Sequence, residues 1–242
     1  TERKSVSYFA GGGNKYRAPT GVKVIKIIVN GQDWADPQTF KLFYDIENKS
    51  GQALNPIVIG TWGFFRRLRV ICGGQILEDI DNYNRFHELF HMMKSTNRRP
   101  NDEIEGFDGT INVGSSKTVS FTPMAGILKQ TKYLPIRYCP LQFELELVGQ
   151  IADVAVGTTS FEISNVQLTC DLVTLDNTLD NEYAQHLLDG GTLPINFSTF
   201  TTASQVISNI KASINVQRAF TRMKSVYVSL SNDNDSNTPE VN

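Results

Sequence analysis

The chain has little charge imbalance and no long apolar run, and each absence removes a class of protein. Its 242 residues carry Lys+Arg 23 against Asp+Glu 25, for a formal net charge of -2. We therefore expect no global basic field of the kind that binds nucleic acid through its phosphates. No apolar run approaches the ~20 residues that a membrane-spanning helix needs. The polar start TERKSVSYFAGGG also lacks the charged and apolar regions of a signal peptide. These absences favour a protein that neither spans a membrane nor wraps nucleic acid.

Cysteine is scarce as well. Cys72, Cys139 and Cys170 are an odd number, far apart in the sequence, and they show no CxxC spacing. Each lies in an apolar, strand-like stretch. This pattern predicts buried free thiols rather than a redox pair or a metal site.

Alternation of apolar and polar residues with a period of two dominates the sequence. It is clearest in LQFELEL at 141–147, where every odd position is apolar and every even one is polar. This is the pattern of a strand with one core face and one wet face, and it predicts that Glu144 and Glu146 point outward. Similar patterns occur at 22–29, 40–46, 64–71, 119–121, 161–175 and 226–230. Within 161–175 the apolar phase flips near Ser164 and Asn165, which predicts a β-bulge.

Two segments have helical periodicity instead. The first covers about 81–95 and has Phe86, Leu89, Phe90 and Met93 on one stripe, with Asp81 or Asn82 as N-cap. The second covers about 177–189 and is stopped by Gly190 and Gly191. Short helices among many strands predict an all-β fold, an antiparallel β-sandwich of jelly-roll type with two short helices in the connections.

The sequence divides into three predicted parts. Residues 1–20, with three consecutive glycines at 11–13, are expected to be a flexible N-terminal arm, and 21–190 a first jelly-roll domain. Phe65-Arg-Arg-Leu-Arg69 is similar to Phe220-Thr-Arg-Met-Lys224, and each copy leads into a β-rich stretch. We therefore expect 191–242 to hold the opening strands of a second jelly roll that is incomplete in this chain. The first residue is Thr1 rather than Met, which fits a processed chain or a fragment.

The sharpest chemical motif is His87-Glu88-Leu89-Phe90-His91, a literal HExxH on a predicted helix. In zinc peptidases the two imidazoles hold one Zn²⁺ and the glutamate activates its water. His87 and His91 are thus candidate zinc ligands and Glu88 a candidate catalytic residue. No third ligand is evident, because the metzincin extension would need Gly and His where the chain has Lys94 and Asn97. On a helical wheel the motif lies roughly 120° from the apolar stripe, which predicts that it faces solvent or a neighbouring subunit.

Other polar and aromatic groups allow further hypotheses. The pairs Glu144/Glu146 and Glu78/Asp79 are typical of the wet side of a strand and a turn, and no catalytic carboxylate pair is inferred. A carbohydrate-binding jelly roll would need exposed aromatic residues in a groove, for which Trp34 and Trp62 are candidates. Basic residues form clusters that could meet acidic partners or a polyanion. The candidate interface residues are Arg66, Arg67, Arg69, Arg98, Arg99, Phe220 and Arg222.

Several stretches, taken in order, resemble the major capsid proteins of the double-jelly-roll lineage, which form the coats of tailless icosahedral DNA viruses such as polinton-like viruses, virophages and large algal viruses. They are FFRRLRVICGGQILEDIDNYNRFHEL at 64–89, LPIRYCPLQFELELV at 134–148, VQLTCDLVTLDNTLDNEYAQHLL at 166–188 and INVQRAFTRMKSVYVSL at 214–230. None of these stretches is a catalytic signature.

The resemblance implies a structural role without enzymatic activity or cofactor. It implies two jelly rolls in tandem and trimeric, pseudo-hexameric capsomers of an icosahedral shell. The implied partners are the homotrimer and neighbouring capsomers, with penton or cement proteins as further candidates, and the implied location is the virion, assembled inside the host cell. The alternative function is a zinc metallopeptidase that uses His87 to His91.

Overall fold

The computed structural model describes residues 2–18, 20–56, 60–94, 110–151, 154–156, 158–207, 213–216, 218–219 and 221–230. Twelve strands and two α-helices lie within these ranges. The strands are β1 (Glu2–Gly11), β2 (Lys15–Ala18), β3 (Val24–Val29), β4 (Trp34–Ala35), β5 (Lys41–Asn48), β6 (Asn55–Pro56), β7 (Phe65–Cys72), β8 (Gln75–Asp81), β9 (Ser116–Phe121), β10 (Leu141–Leu147), β11 (Ala155–Val156) and β12 (Phe161–Thr174). The helices are α1 (Tyr83–Met92) and α2 (Asn177–Leu188).

Ten of these strands form two layers that share one corner, and β6 pairs with β11 apart from them. Their hydrogen-bonded order is β8-β7-β10-β3-β1-β12-β5-β9, with β2 and β4 also paired to β12. We call β8-β7-β10-β3 sheet I. Sheet II consists of β12, β5 and β9, together with β2 and β4. Strand β1 joins them, because it pairs with β12 from Glu2 to Phe9 and with β3 through Ala10 and Gly11. The pairings among the described strands are antiparallel, as the sequence predicts.

Aromatic side chains from the two sheets meet in the core. The ring of Tyr44 on β5 lies 5.4 Å from that of Phe65 on β7. Phe65 in turn lies 5.6 Å from Phe121 on β9, and Phe40 lies 5.7 Å from Phe143 on β10. Such ring pairs add to the free energy gained by burying apolar area. The sandwich therefore has one continuous core between its sheets.

The register predicted for β10 is confirmed. Its odd residues are buried, whereas Gln142, Glu144 and Glu146 lie on the outer face. The predicted bulge is also present, as a register shift between Ser164 and Gln167 where β12 pairs with β5. Asn165 has a φ of 52° there, a left-handed conformation that asparagine tolerates better than most residues.

The N-terminal residues differ from the flexible arm expected over 1–20. Residues 2–11 form β1 and 15–18 form β2, both paired with β12. Most β1 side chains are exposed, and its one partly buried face consists of Val6, Tyr8 and Ala10. Backbone pairing holds β1 in place, together with ion pairs from Arg3 to Asp36 and Asp171 and from Lys4 to Asp33.

The cysteine prediction is wrong for two of the three residues. Cys72 at the end of β7 and Cys139 form a disulfide, with their Cα atoms 5.9 Å apart. Cys170 is a buried free thiol, as expected. The sequence separation of 67 residues explains the miss, since only the fold brings the two cysteines together.

The chain after Gly191 contains no helix or strand among its described residues. The strand predicted around Val226 and Val228 is therefore absent, and both side chains are exposed. The opening strands of a second roll expected over 191–242 likewise have no counterpart in the part of this region that the structure describes.

Candidate functional site

Helix α1 places the HExxH motif against the sandwich, not toward solvent. The helix begins after Asn82, whose left-handed backbone turns the chain out of β8. His87 and His91 are each only 6% exposed. The imidazole of His87 stacks on Trp62, with ring centroids 4.2 Å apart and an interplanar angle of 16°, and His91 lies 4.9 Å from the same indole. The predicted orientation of this helix face is therefore wrong.

These contacts give the motif a packing role. The Trp62 indole N–H donates to the Glu88 carboxylate over 3.0 Å, so Glu88 is bonded to an aromatic residue under the helix. Burial lowers the pKa of His87 well below its ordinary value, which keeps the imidazole neutral at neutral pH. Within the described residues no group of three His, Cys, Asp or Glu side chains could hold a metal ion. A catalytic zinc needs three protein ligands and an open position, and the described residues do not supply them.

The two tryptophans considered for a carbohydrate groove are buried. Trp62 lies beneath α1 and is 2% exposed. Trp34 lies on β4 with its ring 5.0 Å from that of Tyr183 on α2. Neither is available as a stacking platform for a sugar.

The opposite face of α1 carries aromatic residues that pack on the chain beyond the second helix. Phe86 and Phe90 lie 5.0 Å and 5.5 Å from the ring of Phe200. Phe90 also lies 5.0 Å from Tyr227, and the Lys129 ammonium lies 5.1 Å from the centroid of Phe200. We call residues 193–202 the strap. An apolar stripe on a helix is expected to face the core. In α1, Phe86 and Phe90 of this stripe face the strap instead.

A buried carboxylate lies under the strap. Glu78 on β8 is fully buried and accepts hydrogen bonds from the backbone N–H groups of Gly126, over 2.7 Å, and Phe200, over 3.0 Å. A longer contact of 3.4 Å reaches the N–H of Ile127. Burial raises the pKa of Glu78, and the hydrogen bonds and Lys129 oppose that shift. The sequence reading of Glu78 as a wet turn residue is wrong, although its alternation with Ile80 on β8 is a signal that it points inward.

The basic cluster of sheet I is matched by carboxylates of the same sheet. Arg67 donates two hydrogen bonds to Asp79, over 2.7 Å and 2.6 Å. Arg69 lies 3.5 Å from Asp79 and 3.6 Å from Glu144. Arg66 lies 3.5 Å from Asp81 on an exposed edge. The acidic partners foreseen for these arginines are therefore within the chain.

Of the remaining candidate interface residues, the structure describes Arg222 alone. Arg222 is exposed in the chain beyond the strap. Arg98, Arg99 and Phe220 lie outside the described residues. A single surface formed by all seven candidates thus stays a prediction.

Comparisons with known proteins point to one architecture. No protein-family model matches the chain, and no curated protein matches it. Solved structures do match. One is PBCV-1 VP54, as a crystal structure fitted into a cryo-EM reconstruction of the virophage Sputnik, with a TM-score of 0.54 and 15% identity over 76% of this chain. Another is a quasi-atomic structure of the PBCV-1 virus capsid, with a TM-score of 0.53 and 14% identity over 76% of this chain. The chain has the jelly-roll fold.

These matches cover only part of the solved chains. They cover 45% and 44% of the respective solved chains, so this chain corresponds to less than half of each. At this identity the likeness shows the fold alone. Neither described helix combines the length and apolar character that crossing a membrane requires.

Proposed function

We propose that this chain is a structural subunit of an icosahedral viral shell, located in the virion and without enzymatic activity. The observation that carries the proposal is the fold likeness to two PBCV-1 capsid chains across 76% of this chain. A shell subunit needs a rigid sandwich and contact surfaces, and it needs no active site. The packing role of His87, Glu88 and His91 agrees with this function better than with a zinc peptidase.

The proposed assembly is a homotrimer with a pseudo-hexameric outline. In it, the sandwich up to residue 190, with β1 and β2 included, is one roll, and 191–242 lead into a second. Support comes from the exposed apolar side chains beyond the strap, since Val226, Val228 and Leu230 are 68%, 72% and 82% exposed. Exposed apolar side chains that recur along one segment are typical of surfaces that partners cover. Neighbouring capsomers and penton or cement proteins would complete the set of contacts.

Native mass spectrometry of the purified chain, together with electron micrographs, tests the proposal. We expect a species of three times the 27.0 kDa chain mass, and ring-shaped or shell-like particles in the micrographs. A chain that stays monomeric at every concentration would contradict the trimer. Metal analysis of the same sample should find no stoichiometric zinc.

A matched substitution separates the two functions considered. Glu88→Gln keeps an acceptor for the Trp62 indole and removes the acid-base group that a zinc peptidase needs. We expect it to assemble as the unmodified chain does. One zinc per chain, with peptide cleavage that this variant loses, would replace the shell proposal by a peptidase.

A further inference from the structure

The strap is held without strand pairing. Its sequence, LPINFSTFTT, has no titratable side chain, and its partly buried positions alternate with exposed ones from Leu193 to Phe197. No backbone-to-backbone hydrogen bond links its described residues to a strand. Such an extended segment must be fixed by side-chain anchors and by partners for its N–H and C=O groups.

Two anchors close an apolar groove at the end of sheet I. Ile195 and Phe197 line a space of about 160 Å³ together with Leu77 and Leu141. The Cys72–Cys139 disulfide forms part of its wall. Removing this segment would expose the groove to water, so burial of these side chains favours the bound strap.

A third anchor and a polar contact fix the other half of the strap. Phe200 lies between Phe86 and Phe90 of α1, as described above. Two positions further on, the Thr202 hydroxyl donates to the backbone carbonyl of Asp81 over 2.8 Å. At the start of the strap, the Lys132 ammonium lies 3.3 Å from the carbonyl oxygen of Pro194.

Close approach of two backbones shows that the groove is shaped for this segment. A Cβ atom added at Gly126 would lie 1.7 Å from the carbonyl oxygen of Ser198 and 3.0 Å from a carboxylate oxygen of Glu78. Only glycine permits such an approach. Glu78 therefore joins three parts of the chain, namely β8, the turn at 126–129 and the strap.

We propose that the groove between β8, α1 and residues 126–139 is a binding site for an extended apolar peptide, that its occupant is the strap of the same chain, and that Glu78 is the positioning residue that sets the strap's register. The site fixes the point at which the chain leaves the sandwich. The proposal does not depend on the capsid function.

The electrostatics of the site involve few groups. The charged and titratable groups that face Glu78 are Lys129 from the 126–129 turn and Tyr83 from α1. Burial raises the pKa of the Glu78 carboxyl group, whereas the hydrogen bond from the Phe200 N–H of the strap and those from Gly126 and Ile127 lower it. The strap therefore supplies one of the hydrogen bonds that favour the charged carboxylate in this buried position.

Hydrogen exchange on the full chain tests the site. We expect Glu78→Ala to reduce the protection of the Phe200 amide, which donates to Glu78, by about ten-fold to a hundred-fold, as the loss of a hydrogen bond to a charged group should. Protection of β10 in the same sample reports whether the sandwich is intact. Glu78→Gln keeps an acceptor and removes the charge, so it should retain more of this protection than Glu78→Ala does.

Two further variants decide the outcome if Glu78→Ala does not fold. Phe200→Ala and Gly126→Ala should each expose the amide of residue 200 to exchange and leave β10 protected. Thr199→Ala, at an exposed strap position, is the matched control and should change nothing. The proposal is overturned if the Phe200 amide is unprotected in the unmodified chain, or if Phe200→Ala and Gly126→Ala leave the protection of the amide at position 200 unchanged.

Discussion

Strand β10 and the chain from 226 to 230 share one sequence pattern but not one structure. Both alternate apolar and polar residues. In β10 the apolar residues are buried and the backbone pairs with β3 and β7. Val226, Val228 and Leu230 are exposed, and their segment is unpaired among the described residues. The comparison teaches that alternation marks which face of a segment is to be buried, whereas a strand forms only where neighbouring strands are present to pair with it.

The largest effect on the free energy of unfolding is expected from a substitution in β10, the buried segment of the two. Leu145→Ala on β10 removes a side chain that is 1% exposed in a close-packed core. We expect it to lower the free energy of unfolding by about 2 to 5 kcal/mol. Urea unfolding followed by tryptophan fluorescence measures this quantity. The matched control is Leu230→Ala, for which we expect a change within about 0.5 kcal/mol. Equal costs at the two positions would break the comparison.

An effect of intermediate size is expected on the pH dependence of stability, and it comes from His87 on the buried face of α1. The unfolded chain takes up a proton on His87 near its ordinary pKa, whereas burial keeps the folded pKa well below that value. The stabilisation by this neutral, stacked imidazole is thus complete above the ordinary pKa and is lost as the pH falls. The slope contributed by one such group is at most about 1.4 kcal/mol per pH unit.

His87→Phe tests this slope because it keeps a ring on Trp62 and removes the titration. Free energies of unfolding at several pH values between neutral and mildly acidic should fall less steeply than for the unmodified chain. The slope is the readout, since a larger ring also changes packing. His186→Phe, on the exposed face of α2, should leave the slope unchanged. An unchanged slope for His87→Phe would show that another group causes the acid sensitivity.

The features of the fold that depend on short stretches of sequence could be predicted from the sequence. The β10 register, the bulge at Ser164 and the extent of α2 follow from periodicity and turn residues over fewer than about twenty positions. The same reasoning misoriented α1, because an apolar stripe is expected to meet the sandwich. Here the stripe is covered by the strap, and Trp62 accommodates the imidazoles instead.

The remaining errors depend on contacts between distant segments. The Cys72–Cys139 disulfide and the bond from Phe200 to Glu78 join residues 67 and 122 positions apart. No local pattern encodes such a pairing. Strand β1 is a similar case, because its backbone partner and the acidic partners of its ion pairs lie far from it in the sequence.

The smallest effect on the free energy of unfolding is expected for the exposed segment at 226–230. This segment is also the one that we expect to take part in assembly. Replacing Val226, Val228 and Leu230 together by serine removes apolar side chains that the described structure leaves exposed. The free energy of unfolding of the isolated chain should change by less than about 1 kcal/mol, because surface positions contribute little. If a partner covers this segment, its apolar area contributes about 25 cal/mol per Å² to association, so native mass spectrometry should show fewer trimers. A triple variant that destabilises the monomer as strongly as Leu145→Ala would mean that the segment belongs to the sandwich core. A triple variant that is both stable and fully trimeric would place the subunit interface elsewhere on the molecule.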